Sequence, residues 1–269
     1  MLLTYLVSEW HADLVAKISG EDLYDFSVLR PFVQVKDNRR EITWPEILIF
    51  LANKQGATRD LLMLVGSEPH VRWPTFIKAV SQYLQTLGVQ LIVNLRSFPA
   101  PTPHTRPAPV FPSSSDSELA SAFGLAREGL AFKFEGFTDI AEVLSAEVDA
   151  WGCATVDLSV LQPYYFRPMP RARASIAVLN ALDRVFGGET SISALQDSAL
   201  EEDKAIDAFA NEEMLAIIRG LEREYDESPL WQHPERTSGG PGTDLPSSEA
   251  VLGEIERLLR EHGSPGAPD

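Results

Sequence analysis

The sequence has 269 residues, 44% of them hydrophobic and 23% charged, with a formal net charge of -16 at pH 7. That is globular composition, and the length supports one large core plus an appendage. So acidic a chain is not built to grip nucleic acid or an anionic membrane. The single cysteine, Cys153, excludes an intrachain disulfide framework and a cysteine-cluster zinc site. One unpaired thiol suits a reducing cytoplasm. The longest apolar runs fall well short of the roughly 20 residues that span a bilayer. The opening "MLLTYLVSEW" lacks a basic n-region and a small-residue cleavage site. A cytoplasmic protein is therefore expected.

In chain order, "FVQVKDNRREITW" (32–44) predicts a β-hairpin, two alternating arms around Asp37-Asn38. "EILIFLA" (46–52), "DLLMLVG" (60–66) and "VQLIVNL" (89–95) are short apolar runs with little polar alternation, which predicts strands covered on both faces. Between the last two, "WPTFIKAVSQYLQTLG" places Trp73, Phe76, Ile77, Val80, Tyr83, Leu84 and Leu87 at helical spacing, with Pro74 in the first turn and Gly88 at the end. That sequence of elements reads as a βαβ unit. "TDIAEVLSAEVDAWG" predicts a helix with Thr138 as N-cap and Gly152 at its C-terminus, "CATVDLSV" (153–160) a strand, and "RARASIAVLNALDRVFGG" a helix stopped by Gly187 and Gly188. Strands alternating with helices imply an α/β fold, a largely parallel sheet with helices on both faces. Residues 191–226 read as two acidic helices, 228–247 as a linker rich in Pro, Gly and Ser, and 248–263 as a terminal helix. The expected domains are thus a core over 1–188 with the hairpin 32–44 inserted, a helical segment 189–227, the linker and the terminal helix.

In open parallel sheets, ligands bind beyond the carboxyl ends of the strands. "GSEPHVRW" supplies Glu68 after one strand, "PTPHTRPAPV" supplies His104, Thr105 and Arg106 after the next, and "QPYYFRPMP" supplies Tyr164 and Tyr165 after the third. Thr138 opens a helix whose free N–H groups could face the same edge. These seven residues are the candidate ligand cleft, and the proline-rich loop is its stiff rim. Proton transfer by His104 next to a carboxylate, with Arg106 orienting an anion, is the chemistry such a cleft would offer. The plainer account is structural: prolines fix a loop over the sheet, Arg106 pairs with Glu68, His104 bonds backbone carbonyls and the tyrosines pack the rim. Glu21, Asp22 and Asp25 in "GEDLYDF" read as a solvated acidic turn, and no metal site is expected. The acidic run "ALEEDKAIDAFANEEM" reads as a solvated helix face with an apolar stripe. The Gly-x-Ser-x-Gly elbow, the Walker loop and the His-Glu-x-x-His helix are all missing from the sequence.

"DLYDFSVLRPFVQVKDNRREITWPE", "GSEPHVRW", "TPHTRPAPV" and "FEGFTDI", in that order, resemble the proteasome-assembly-chaperone-2-like family in its actinobacterial branch, from about Ala12 to Asp226. The resemblance implies a core like that of nucleoside phosphorylases, a hairpin that helps build homo-oligomers with a trimer foremost, and a helical lid over the pocket. It implies no cofactor. Relatives bind proteasome α subunits during ring assembly, so the implied partners are a second copy of the chain and proteasome subunits. The sequence departs from the family pattern at several places. The family's strand and Gly-Trp-x-Asp-Ala-Gly loop would stand ahead of the helix matching "LLTYLVSEW". Its Gly-Pro-x-Gly loop reads Gly136-Phe137-Thr138-Asp139, and its Pro-His-Tyr reads Pro163-Tyr164-Tyr165. The expected function is a non-enzymatic assembly-chaperone-like or scaffold protein. The alternative is a small-ligand-binding or hydrolase-like enzyme using the cleft. The hairpin residues Phe32, Val35 and Trp44 are the expected oligomer contact, since an isolated hairpin needs a surface for its apolar face.

Overall fold

The computed structural model describes residues 2–53, 59–123, 136–166, 169, 171–187 and 190–228. The expected linker after Ser228 and the terminal helix lie outside the described residues. The chain divides into two compact units. The first comprises residues 1–92, 136–155 and 186–190, and the second residues 93–135, 156–185 and 191–269.

The first unit holds α1 (Leu2–Glu9), β1 (Asp13–Ser19), β2 (Phe32–Lys36), β3 (Arg39–Thr43), β4 (Glu46–Ala52), β5 (Leu61–Val65), α2 (Trp73–Thr86) and α4 (Ile140–Asp149). Strands β1, β4 and β5 form one sheet in that order, with β1–β4 and β4–β5 both antiparallel. The parallel arrangement expected of the two apolar runs is therefore overturned. The stretch between them, 53–60, is shorter than the dozen or so residues a parallel crossover needs. Below the sheet, Leu23, Tyr24 and Ile47 pack with Phe76, Ile77, Val80 and Leu84 of α2, four of the seven residues expected on its apolar stripe, while Leu87 is 51% exposed. Ser81 is also on that face and is 3% exposed, because its Oγ accepts from Trp151 Nε1 at 2.9 Å. Helix α4 packs on α2. Its N-cap is Asp139 rather than Thr138: the Asp139 carboxylate accepts from Glu142 N at 2.9 Å, while Thr138 is exposed. Gly152 takes a positive φ of 80° after the helix, as a terminating glycine does.

The hairpin β2–β3 forms as expected. Lys36 pairs with Arg39, and Asp37 and Asn38 both take positive φ, the geometry of a tight two-residue turn matched to the strand twist. All ten strand residues are exposed, and the hairpin pairs with no third strand among the described residues. Its register separates the expected contact residues. Val33, Val35 and Ile42 share one face, and Phe32 lies on the other with Gln34 and Thr43. Trp44, just beyond β3, stacks at an angle on Phe26 with ring centroids 4.9 Å apart and stays 52% exposed.

The second unit carries most of β6 (Leu91–Ala100) and of β8 (Ala154–Pro163), with β7 (Val110–Ser113), α3 (Ser117–Ala122), α5 (Ala172–Phe186), α6 (Ser193–Phe209) and α7 (Glu212–Glu227). Its sheet has the order β6-β8-β7, with β7 antiparallel to β8. Strands β6 and β8 run parallel. Ala154 N donates to Gln90 O and Tyr164 N to Ala100 O, and the same offset at both ends is that of strands running in one direction. Among the described residues, parallel pairing is thus confined to this pair, where the chain supplies a long connection. Strands β5 and β6 fall in different sheets among the described residues, so the expected βαβ unit is not formed by them. Helix α5 buries Val178, Leu179 and Leu182 along its apolar face. The acidic stretch 191–226 forms the two expected helices, joined at Asn211, whose side chain caps α7 by accepting from Met214 N at 2.8 Å.

Candidate functional site

The loop between β6 and β7 is held at both ends by β8. Ala100 O accepts from Tyr164 N at 3.2 Å, and Pro109 O accepts from Leu161 N at 2.9 Å. Prolines suit such a span, since they add acceptors and no N–H that would need a partner. Pro103 O accepts from Arg106 N, and Pro107 O from the Tyr225 hydroxyl at 2.9 Å. The loop is therefore tied to β8 and to α7 at several points.

His104 is 3% exposed. Its backbone N–H donates to Tyr165 Oη at 2.7 Å, and its Nδ1 lies 2.7 Å from the same oxygen. The phenol oxygen thus serves both the backbone N–H and the imidazole nitrogen of one residue. Burial lowers the His104 pKa, opposed by Asp203 and Asp207. Burial also pushes the Tyr165 hydroxyl up to about 12. The pair is neutral at physiological pH. The Tyr164 ring meets the Tyr165 ring edge-on, with centroids 5.8 Å apart.

The next two residues of the loop bind α7. Thr105 Oγ1 donates to Glu222 Oε1 at 2.5 Å. Arg106 donates from Nε and Nη2 to the two carboxylate oxygens of Asp226, at 2.8 and 2.6 Å, and its Nη1 lies 3.4 Å from Glu222. The fork holds the Asp226 carboxyl below its ordinary value. Glu222, Tyr225 and Asp226 share one helical face, three and four residues apart. Helix α6 adds Asp203, which takes Arg173 Nη2 at 2.5 Å, and Glu202, whose carboxylate accepts from Arg171 N and Ala172 N at the start of α5. Under these contacts lies a cavity of about 10 Å³, lined by Thr102, His104, Arg106, Gln162, Arg173 and Asp203 among others. That is room for about one water molecule.

The seven expected cleft residues are thus divided. His104, Thr105, Arg106, Tyr164 and Tyr165 belong to the second unit, where they gather beneath α6 and α7. Glu68 and Thr138 belong to the first unit. Glu68 does not pair with Arg106: its Oε1 accepts from Ile140 N at 2.7 Å and so caps α4. The acid–base pair expected of His104 and a carboxylate is replaced by His104 and a phenol. The acidic run of α6 is more than a solvated face, since Glu202 and Asp203 turn onto α5. Sequence reading missed these two, together with Thr102, Arg173, Glu222, Tyr225 and Asp226. The i, i+4 spacing of Glu222 and Asp226 was the available signal for the last pair. In the acidic turn, Asp25 accepts from Ser27 N and Oγ, Asp22 pairs with Arg72, and no metal-ligand cluster occurs among the described residues.

The model of the PAC2 family matches residues 1–210. A PAC2 family protein from Streptomyces avermitilis is 31% identical with a TM-score of 0.70, over 80% of this chain and 91% of that one. A proteasome-assembly chaperone homologue from Mycobacterium tuberculosis is 29% identical with a TM-score of 0.69, over 81% of this chain and 92% of that one. An archaeal proteasome activator from Pyrococcus furiosus, 15% identical with a TM-score of 0.61 over 77% of this chain and 86% of that one, shares the fold. Among curated proteins, none matches.

Proposed function

The chain belongs to the PAC2 family, and from that premise we propose that it is an assembly-chaperone-like protein that works by binding other subunits rather than by catalysis. The observation that carries this reading is the similarity, along most of both chains, to the mycobacterial proteasome-assembly chaperone homologue. Its partners are then proteasome subunits and further copies of itself, a homotrimer being the oligomer to test first. The exposed hairpin supports the self-association: Val33, Val35 and Ile42 are 55%, 71% and 58% exposed on one face. A nucleoside-phosphorylase-like core belongs to the same proposal, supported by the parallel β6–β8 pair. So do an actinobacterial origin, supported by the Streptomyces and Mycobacterium relatives, and a cytoplasmic site of action. No helix among the described residues is long and apolar enough to cross a membrane.

The alternative of a small-ligand enzyme draws on His104 and Arg106. His104 Nδ1 is engaged by Tyr165, Arg106 by Asp226, and the cavity admits about one water. Both groups would have to be released before any chemistry. The test of the assembly reading is co-purification of the full chain with proteasome α subunits of its own organism, followed by an α-ring assembly assay. Retention of α subunits with faster ring formation is expected. Neither retention nor any change in ring yield would sink it.

A further inference from the structure

Four carboxylates of α6 and α7 sit on cationic or polar groups presented from beneath, Glu222 among them on Thr105 and Arg106. Asp226 is forked by Arg106. Asp203 lies 2.5 Å from Arg173 Nη2. Glu202 accepts from Arg171 N at 2.9 Å and Ala172 N at 3.0 Å, at the N-terminus of the 15-residue α5. Two arginines and a helix N-terminus are groups that hold a carboxylate ligand. A second observation points into the same place. Thr102 is 2% exposed, and its Oγ1 has no hydrogen-bond partner among the described residues. It lines the cavity together with His104, Arg106, Arg173, Glu202 and Asp203. A buried hydroxyl is costly to leave unmatched, and buried polar groups in native proteins are generally satisfied.

We propose that the floor formed by Thr102, Arg106, Arg173 and the start of α5 is a binding site for a carboxylate compound, and that the carboxylates of α6 and α7 are its built-in occupants. The closed cavity has room for about one water, so an incoming carboxylate replaces Glu202, Asp203 or Asp226 and does not add to them. Binding and lid closure then exclude each other. The internal occupants lower the apparent affinity for the external ligand by the fraction of time the floor is covered. The ligand is one that binds the open state better, which is the only way a ligand can shift this equilibrium. This site stands on its own geometry and is independent of what the protein assembles with.

The test uses the full chain with citrate, malonate and an Asp-rich peptide as probes, each against sodium chloride at matched ionic strength. Hydrogen exchange of the α6 and α7 amides is the readout. Saturable acceleration across Ser193–Phe209 or Glu212–Glu227 by a carboxylate, beyond that by chloride, is expected. A response to citrate or malonate assigns a small carboxylate, and a response to the peptide alone assigns carboxylates on a polypeptide. Equal exchange in all probes and in chloride overturns the proposal. A second arm measures citrate binding to the Asp203→Asn, Asp226→Asn variant by calorimetry. With the two occupants that face Arg106 and Arg173 most closely neutralised and Glu202 kept, it should bind at least about tenfold more tightly than the parent, as weakening of a competing closed state requires. A variant that is folded by circular dichroism yet binds no more tightly also overturns it. If the variant does not fold, the exchange experiment on the parent decides alone.

Discussion

At the scale of single residues, the buried pair His104–Tyr165 is the most consequential feature of the second unit. Tyr165 satisfies two groups of the same residue, a backbone N–H and an imidazole nitrogen, with one oxygen. Tyr165→Phe removes that oxygen and leaves a buried N–H and a ring nitrogen without it, a change expected to cost about 1–3 kcal/mol. Denaturant unfolding of the two proteins measures it, and an unchanged midpoint would show the bond to be dispensable. The pair also sets a pH dependence. His104 has its pKa lowered by burial from an ordinary 6.5, against the pull of Asp203, Asp207 and Glu222 and with the help of Arg173. A depressed folded value means that the neutral ring stabilises the fold above 6.5, and that this is lost as pH falls through the lowered value. Tyr165 works at the other end. Its value is raised from 10.0 to about 12, so its contribution is complete below 10.0 and is lost as pH rises through about 12. NMR titration of the His104 ring reads the first shift directly. A midpoint at or above 6.5 in the folded protein would contradict it. His104 and Arg106 were legible in the sequence because they stand in a proline-rich loop after an apolar strand. Tyr165 was named with them but not as the partner of His104, and Glu222 and Asp226 were not named, since only the packing of distant elements brings them there. Glu68 shows the converse. A carboxylate at a strand end looks like site chemistry in the sequence, and in the structure it caps a helix.

At the scale of elements, periodicity located α2, α4, α5, α6 and α7, whereas the parallel direction read into the strands was wrong for β4 and β5. The spacing of Phe76, Ile77, Val80 and Leu84 fixes α2 whatever it packs on. The apolar runs β4 and β5 carry no mark of direction, and only the short stretch between them decides for an antiparallel pair. The brief elements β7 and α3 gave no periodic signal long enough to read, and β1, "DLVAKIS", is neither a continuous apolar run nor a strict alternation. One close approach between elements yields a sharp expectation. Gly20, directly after β1, lies against the start of β4: an added Cβ would stand 2.1 Å from Pro45 O and 2.5 Å from Tyr24 Cδ2. Both neighbours are fixed, the first as backbone and the second by the Tyr24 hydroxyl bond to Ser67 O at 2.6 Å. Gly20→Ala must therefore push β1 from β4 or displace Tyr24 from the core, at a cost of about 1–3 kcal/mol in the manner of an overpacked core. Equilibrium unfolding would measure this. Gly88→Ala is the control: open space surrounds its Cβ position, so what it costs reports its positive φ of 69° alone. A Gly20→Ala protein as stable as the parent would mean that the β1–β4 contact yields freely.

At the scale of the whole molecule, the family was legible in the order of four motifs, while an assembly is not written in any one of them. What the structure adds is a surface. The β2–β3 hairpin has apolar side chains on both faces, and it pairs with no third strand among the described residues. A two-stranded hairpin alone is marginal in water, so something covers it or it contributes little. Its register makes the test selective. Val33, Val35 and Ile42 share one face with Arg40, whereas Phe32 shares its face with Gln34, Lys36, Arg39, Glu41 and Thr43. If copies of the chain meet through the face of Val33, Val35 and Ile42, Val33→Asp with Val35→Asp buries two charges in that contact and should reduce the mass measured by light scattering to that of a folded monomer. Phe32→Asp, on the opposite face, should leave the mass unchanged. The reverse result would place the contact on the Phe32 face. If both variants stay folded and keep the parent mass, the hairpin is not what joins the copies. Added salt gives an independent reading. A chain of net charge -16 repels its own copies, and screening over a Debye length of about 10 Å at 0.1 M weakens that repulsion. An apolar contact should therefore tighten as salt rises, whereas one held by surface ion pairs should loosen.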